Sequence, residues 1–140
     1  MGTLEDLYRE ELLSRYRFPQ KLGELPGATH TKFLENPTCG DKITLFLKVN
    51  DGHVESVRFV GEGCAISRAS ADLMAEAVEG RPLDEVRRLI KAFKAMVVEG
   101  RPPAPELGPL AALAGVARVP SRVGCAVLPW KALEAILEEG

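Results

Sequence analysis

The chain has few aromatic residues, few histidines and few cysteines for its length of 140 residues. Aromatic side chains make up 6% of the sequence, and it contains 2 histidines and 3 cysteines. An odd number of cysteines does not fit the paired disulfide framework that is typical of small secreted domains. We therefore expect free thiols or metal ligands in a reducing compartment.

The sequence also lacks an excess of positive charge and a long apolar run. Its 18 Lys and Arg residues and 20 Asp and Glu residues give a formal net charge of -2, whereas neutralising nucleic-acid phosphates requires a basic surface. Charged residues such as Glu5, Asp6 and Arg9 stand where a signal peptide would be apolar, and no run approaches the roughly 18 apolar residues of a membrane helix. We expect no nucleic acid, no membrane and a cytoplasmic location.

The length fits one domain that spans residues 1–140, because domains typically contain about 100 to 150 residues. A chain of this size buries roughly two-thirds of the surface that it exposes when unfolded. With 46% apolar residues, it can form a core without disulfides.

Hydrophobic periodicity predicts a helix followed by an antiparallel sheet. Apolar residues at near-helical spacing predict a first helix over residues 4–16. Alternation over residues 43–49 predicts a strand, and Asn50-Asp51-Gly52 predicts a hairpin that returns through residues 54–60. A third strand around Phe33-Leu34 is also expected, since an isolated hairpin is only marginally stable in water.

The rest of the chain is predicted to be mainly helical. One helix extends from Ser67 to Gly80, and an amphipathic helix over residues 86–97 ends at Gly100. Prolines predict a loop over residues 101–109, a short helix follows over residues 110–114, and a last helix begins near Cys125. This order indicates an α+β fold with a small antiparallel sheet and helices packed on one face.

Each cysteine lies beside a glycine at a predicted element boundary, in the pairs Cys39-Gly40, Gly63-Cys64 and Gly124-Cys125. Cys64 and Cys125 are predicted to begin helices, where the exposed amide hydrogens and the macrodipole favour the thiolate. If the fold brings the three sulfurs together, they suit a soft or borderline metal ion with a fourth ligand. Inert burial is the alternative for each cysteine taken alone.

The fourth ligand has three candidates. Asp41 lies two residues after Cys39, so both side chains point the same way on an extended segment, and a carboxylate oxygen is an accepted zinc ligand. His30 precedes the first clear strand and His53 follows the hairpin glycine. For both histidines a solvated side chain is the expected state, which favours Asp41.

Three blocks of the sequence resemble the IscU/SufU family of iron–sulfur cluster assembly proteins. They are Asn-Pro-Thr-Cys-Gly-Asp at 36–41, Gly-Glu-Gly-Cys-Ala-Ile-Ser-Arg-Ala-Ser at 61–70 and Arg-Val-Gly-Cys-Ala-Val-Leu at 122–128. The resemblance extends over nearly the whole chain. It implies an α+β fold with an exposed metal site at one end, whose ligands are Cys39, Asp41, Cys64 and Cys125.

Within that family the chain resembles the SufU type more than the IscU type. The IscU type has a histidine directly before its last cysteine and a Leu-Pro-Pro-Val-Lys motif ahead of it, but residues 119–124 here read Val-Pro-Ser-Arg-Val-Gly. The Pro-rich connection after Phe93 and an arginine three residues before the last cysteine, Arg122, are similar to the SufU type. Gly124 departs from that type, which usually has a basic residue there.

The resemblance implies a zinc-bound sulfur acceptor that takes persulfide sulfur from a pyridoxal-phosphate cysteine desulfurase of the SufS type. Cys125 would be the nucleophile on an exposed rim, Arg122 would pair with Asp41 once the ligands rearrange, and downstream cluster assembly or acceptor proteins would receive the sulfur. This activity is that of a zinc-dependent sulfurtransferase. The alternative is a non-enzymatic scaffold that holds a transient [2Fe-2S] cluster on the same ligands, and a purely structural zinc domain is the third possibility.

Overall fold

The computed structural model describes residues 4–37 and 40–139. In chain order they form the elements α1 (Leu4–Arg17), β1 (His30–Asn36), β2 (Asp41–Asn50), β3 (His53–Glu62), α2 (Ala65–Val78), α3 (Leu83–Val97), a 3₁₀ segment (Pro105–Arg118) and α4 (Pro120–Glu139). The predicted α+β fold is confirmed. None of the helices in these ranges combines the length and the apolar character that crossing a membrane requires.

The strands form an antiparallel sheet in the order β1-β2-β3. Asp51 and Gly52 both adopt positive φ, at 51° and 73°, which is the backbone of the tight turn that joins two antiparallel strands with the usual twist. The third strand that Phe33-Leu34 predicted is present as β1. At the other end of β2, Asn36 and Asp41 pair across the β1–β2 connection.

One face of the sheet carries the apolar core. Ile43, Leu45 and Leu47 of β2 and Phe59 of β3 are buried together with side chains from the helices. Phe33 on β1 remains half exposed, at 53% of its surface. The prediction that the helices pack on one face of a small sheet is therefore confirmed.

A bulge in β3 explains the irregular spacing of its apolar residues. The register shifts after Lys48, so that Glu55 becomes an extra residue on the β3 side of the pair. Val54 and Val57 consequently both face the core, although strict alternation would place residues three apart on opposite faces. The bulge allows the strand to bury both valines.

The predicted loop over residues 101–109 is too long, and the short helix predicted over residues 110–114 is longer than expected. The 3₁₀ segment already begins at Pro105, with a kink at Gly108 (φ 51°, ψ -127°), and it continues to Arg118. Leu107, Leu110, Leu113 and Val116 are all buried. Their spacing of three residues matches the three residues per turn of a 3₁₀ helix, so one stripe of the segment faces the core.

The start of the last helix was predicted too late. Helix α4 begins at Pro120, and Cys125 lies in its second turn. Proline suits the first turn of a helix because its missing amide hydrogen has no partner there in any case. The expectation that helix-terminal amides favour the Cys125 thiolate is therefore wrong.

A buried carboxylate on α2 fixes the segment that follows α1. Asp72 is completely buried and accepts hydrogen bonds from the main-chain amides of Gln20 (2.8 Å) and Lys21 (2.7 Å) and from Nη1 of Arg15 (3.0 Å). Arg15 also donates to the exposed carboxylate of Glu76. These bonds tie α1 and the chain after it to α2.

We expect Asp72→Ala to lower the free energy of unfolding by about 3–5 kcal/mol, because it leaves the Arg15 guanidinium and two amides without their acceptor. Urea unfolding followed by circular dichroism measures this loss. Glu76→Gln is the matched control, since it removes only the charge of an exposed partner of Arg15 and should cost about 1 kcal/mol or less. Equal losses for the two variants would contradict the role of Asp72.

Glu79, at the end of α2, ties that helix to the sheet. Its Oε2 accepts hydrogen bonds from the amide of Val57 (2.9 Å) and from Nη1 of Arg58 (2.9 Å), and its Oε1 accepts from Nζ of Lys21. Burial raises the pKa of Glu79, but the hydrogen bonds from Lys21, Val57 and Arg58 outweigh it. The pKa of Glu79 therefore lies below its ordinary value of 4.5.

Because the folded state lowers this pKa, the charged form of Glu79 stabilises the fold above pH 4.5, and the stabilisation is lost as the pH falls through the lower folded value. We expect Glu79→Gln to unfold at lower urea concentration than the wild type at pH 7. The difference between the urea concentrations at which the two proteins unfold should narrow below pH 4.5. Urea titrations at pH 7 and pH 3 test this, and a gap that stays constant with pH would contradict it.

Candidate metal site

Three of the residues singled out in the sequence meet at one end of the sheet. Asp41 begins β2, Cys64 follows the end of β3, and Cys125 lies in the second turn of α4. One carboxylate oxygen and the two sulfur atoms all lie within 4.8 Å of one another. Cys39 lies outside the described residues.

Asp41 connects the start of β2 to the start of α2. It is buried, at 1% exposure, and its Oδ1 accepts a hydrogen bond of 2.9 Å from the main-chain amide of Cys64. Its Oδ2 lies 4.0 Å from the Cys64 sulfur. The positive end of the α2 dipole stabilises a carboxylate at this position, so one oxygen caps the helix while the other faces the thiol.

Cys64 is the residue that precedes the first turn of α2, as the sequence predicted. Its backbone is extended, with φ -75° and ψ 167°, and its side chain makes no capping hydrogen bond. The Ser67 hydroxyl donates to the Cys64 carbonyl at 3.1 Å. The main chain of Cys64 is thus held on both sides, by Asp41 and by Ser67, while its sulfur points to the site and is partly exposed.

Gly63 allows Asp41 to reach the helix. A Cβ atom at this position would lie 2.2 Å from Oδ1 of Asp41 and 3.0 Å from the Ser67 hydroxyl, and the residue has a φ of +146°. Both the space and the backbone therefore require glycine here. The sequence showed a glycine beside the cysteine, but not that the carboxylate fills the space where a side chain would be.

Cys125 is buried, with no exposed surface, so the expectation that it stands on an exposed rim is wrong. The early start of α4 adds a turn of helix ahead of it, and the residues that follow pack into the core. Of the three described site residues, Cys64 alone is partly exposed. The site lies at the end of the sheet as predicted and opens to solvent through Cys64.

Arg122 is exposed and lies one turn before Cys125. A hydrogen bond to the Cys125 side chain, followed by electrostatic interactions with Cys64 and Cys125, raises the pKa of Arg122 above its ordinary value. The sequence predicted that Arg122 would pair with Asp41 after a rearrangement. In the structure its guanidinium is directed to the two sulfurs.

The histidines lie away from the site. His30 pairs with Leu47 and His53 pairs with Asn50, toward the end of β2 that is opposite to Asp41. Nδ1 of His53 is 3.0 Å from the carbonyl oxygen of Asp51, inside the hairpin turn. Neither histidine is a candidate for the fourth ligand.

Asn36 is a site neighbour that the sequence analysis did not single out. A Cβ atom on Gly124 would lie 2.8 Å from its Nδ2. The glycine before Cys125 therefore lets α4 approach the end of β1 closely. The only signal in the sequence was that both residues belong to the blocks that carry the family resemblance.

The donor set fits zinc. Two thiols and one carboxylate are ligand types that zinc binds in tetrahedral sites, and thiolates select soft or borderline ions over magnesium or calcium. The Asp41 oxygen that faces the sulfur does not bond to the amide of Cys64 and is available to a metal.

Comparison with known proteins agrees with this geometry. Residues 7–135 match the protein family described as NifU-like N terminal domain. The chain belongs to this family. Among its relatives, the zinc-dependent sulfurtransferase SufU of Bacillus subtilis (strain 168) is 39% identical over 135 residues, which are 95% of this chain and 90% of the relative.

Two further proteins are similar to this chain over most of its length. The iron–sulfur cluster assembly scaffold protein IscU of Streptococcus pyogenes serotype M1 is 37% identical over 139 residues, 99% of this chain and 87% of that protein. The crystal structure of FiSufU, a SUF-system protein of Fervidobacterium islandicum AW-1, superposes with a TM-score of 0.87 at 31% identity, over 91% of this chain and 94% of that one.

The close contact at Gly63 generates a prediction about metal binding. We expect Gly63→Ala to displace the Asp41 carboxylate and to weaken zinc binding by about 10- to 100-fold, the usual effect of disturbing groups that orient metal ligands. Competition with a chromogenic chelator measures the affinity. Gly23→Ala is the matched control, because Gly23 also has a positive φ, +131°, but open space around it. Equal weakening in both variants would show that Gly63 has no specific role.

Proposed function

We propose that this chain is a zinc-bound sulfur acceptor in iron–sulfur cluster biosynthesis. It takes persulfide sulfur from a pyridoxal-phosphate cysteine desulfurase of the SufS type and passes it to downstream cluster assembly or acceptor proteins. The observation that carries the proposal is the meeting of Asp41, Cys64 and Cys125 within 4.8 Å, with Arg122 directed to both sulfurs. The name of the Bacillus subtilis relative supports the same activity.

Asp41, Cys64 and Cys125 are proposed to hold the zinc, with Cys39 as the fourth ligand. Cys39 is proposed because it stands two residues before Asp41 in the block that resembles the IscU/SufU family. When bound, zinc keeps its thiol ligands deprotonated and undergoes no redox change. Asp41 would be the one hard donor among the proposed ligands, because a carboxylate is a harder donor than a thiolate.

Cys125 is proposed as the acceptor of the sulfur. Its thiolate attacks the outer sulfur of the desulfurase persulfide and forms a new bond between the two sulfurs. The bond between the outer sulfur and the desulfurase cysteine breaks, and that cysteine leaves as a thiolate, while the outer sulfur keeps its proton. This is ordinary thiol exchange with no net oxidation or reduction.

Arg122 is proposed to assist the acceptor. Its guanidinium bonds to the Cys125 side chain, and the residue is exposed, so it links the buried thiol to the surface that a partner protein would contact. A fixed positive charge beside a thiol stabilises the thiolate that attacks. The docked desulfurase must therefore move Arg122 or displace a ligand to reach Cys125.

The proposal is tested by metal analysis of protein purified without added metal, followed by a desulfurase assay. We expect one zinc per chain, stimulation of cysteine turnover by a SufS-type desulfurase, and loss of that stimulation in Cys125→Ala. Ser121→Ala changes an exposed residue one helical turn before Cys125 and should keep full stimulation. Stimulation that survives in Cys125→Ala would overturn the assignment of the acceptor.

Further measurements on the same purified protein distinguish the proposal from its two alternatives, a cluster scaffold and a structural zinc domain. A coloured, oxygen-sensitive product that passes its cluster to an apo-acceptor would favour a scaffold that assembles a [2Fe-2S] cluster, the role named for the Streptococcus pyogenes relative. Unfolding on chelation would indicate a structural zinc domain. We expect the fold to persist without metal, because the core is built from apolar side chains of the sheet and helices.

A further inference from the structure

We propose that Ser70 is a positioning residue that holds α4 against α2 beside Cys125 and so sets the spacing of the Cys64 and Cys125 sulfurs. The meaning of that spacing for zinc binding rests on the proposed function. The hydrogen bonds that carry the inference are independent of any metal.

Helix α4 is weakened beside its cysteine. Pro129 lies inside the helix and has no amide hydrogen, so the helical hydrogen bond from residue 129 back to the carbonyl of residue 125 does not form. Its ring also crowds that carbonyl. Gly124, a poor helix former, lies on the other side of Cys125. The turn that carries the cysteine therefore depends on contacts from outside the helix.

A hydrogen bond from α2 reaches this turn. The Ser70 hydroxyl donates to the carbonyl of Ala126 at 2.6 Å, and Nε1 of Trp130 donates to the Ser70 oxygen at 3.1 Å. All three residues are completely buried. A hydroxyl has a single hydrogen to donate, and it is directed to the residue next to Cys125 while the oxygen accepts from the indole.

The bond links the two helices that carry the thiols. Cys64 directly precedes the first turn of α2, Ser70 lies on the same helix, and Ala126 follows Cys125. A buried hydroxyl is costly unless it is hydrogen-bonded, and Ser70 lies between the buried alanines 69 and 71. Ser70 supplies this bond to Ala126, the residue next to the Cys125 carbonyl that Pro129 leaves without its helical donor, and so holds the same turn from outside.

A double-mutant cycle tests the inference in the full-length chain. We expect Ser70→Ala to weaken zinc binding about tenfold, as loss of ligand-orienting groups does. In the chelator-treated chain it should accelerate iodoacetamide labelling of Cys125, measured by peptide mass spectrometry. Pro129→Ala restores the helical hydrogen bond to the Cys125 carbonyl and stiffens the turn that Ser70 holds through Ala126. The effect of Ser70→Ala on zinc affinity should therefore be smaller in the Pro129→Ala background than in the wild type.

Trp130→Phe is the matched control. It removes the indole donor and so destabilises the buried cluster, but it leaves Ser70 free to bond to Ala126. We expect it to lower the unfolding free energy while zinc affinity stays within about twofold of the wild type. If the Ser70→Ala variant does not fold, Pro129→Ala is compared with the Ser70→Ala/Pro129→Ala double variant. Both of these chains have regained the helical hydrogen bond that Pro129 prevents, so they differ only at Ser70.

Three results would overturn the proposal. One is unchanged labelling of Cys125 in Ser70→Ala, and another is a loss of zinc affinity in Trp130→Phe as large as that in Ser70→Ala. The third is that the Ser70 and Pro129 substitutions change zinc affinity independently, so that their effects simply add. A wild-type chain that neither binds zinc nor accepts sulfur would instead refute the proposed function, and labelling of the metal-free chain would still decide the role of Ser70.

Discussion

A buried carboxylate is costly unless hydrogen-bond donors reach it, and the amide of Cys64, directly before α2, donates to Asp41. This contact joins the start of β2 to the start of the helix that follows β3, so it fixes the direction in which Cys64 presents its sulfur. It also leaves the second oxygen of Asp41 beside that sulfur. Gly63 lacks a side chain because the carboxylate occupies that space. The local geometry of the site depends on this one capping interaction.

Helix α2 connects the site to the rest of the molecule. Polar residues along it each bond to a different part of the fold: Cys64 to β2, Ser70 to α4, Asp72 to the segment after α1, and Glu79 to β3. Two of them, Ser70 and Asp72, are completely buried, where a polar group without hydrogen-bond partners would be costly. The apolar core sets the overall packing, and these bonds set how α2 is positioned within it.

The sheet and the hairpin could be predicted from the sequence because alternation and turn residues are local signals. The three glycine-flanked cysteines and Asp41 pointed to a site, but only the family resemblance predicted their convergence, which is confirmed for the described residues Asp41, Cys64 and Cys125. The start of α4 was missed because Gly124 and Cys125 were interpreted as a helix boundary, although Pro120 begins the helix. Apolar residues that recur every three positions do not fit the 3.6-residue period of an α-helix, so α-helical periodicity predicts only part of the 3₁₀ segment. The burial of Cys125 depends on packing between distant elements.

The burial of Cys125 has a consequence for chemical selectivity. Of the two described thiols, Cys64 is partly exposed and Cys125 has no accessible surface. Small oxidants and low-molecular-weight thiols therefore reach Cys64 before Cys125, and a sulfur that the proposed function places on Cys125 would be shielded from them. Under the proposed function, a partner protein would have to open the surface around Arg122 before it exchanged sulfur with this inner thiol, so the fold would restrict which molecules take part.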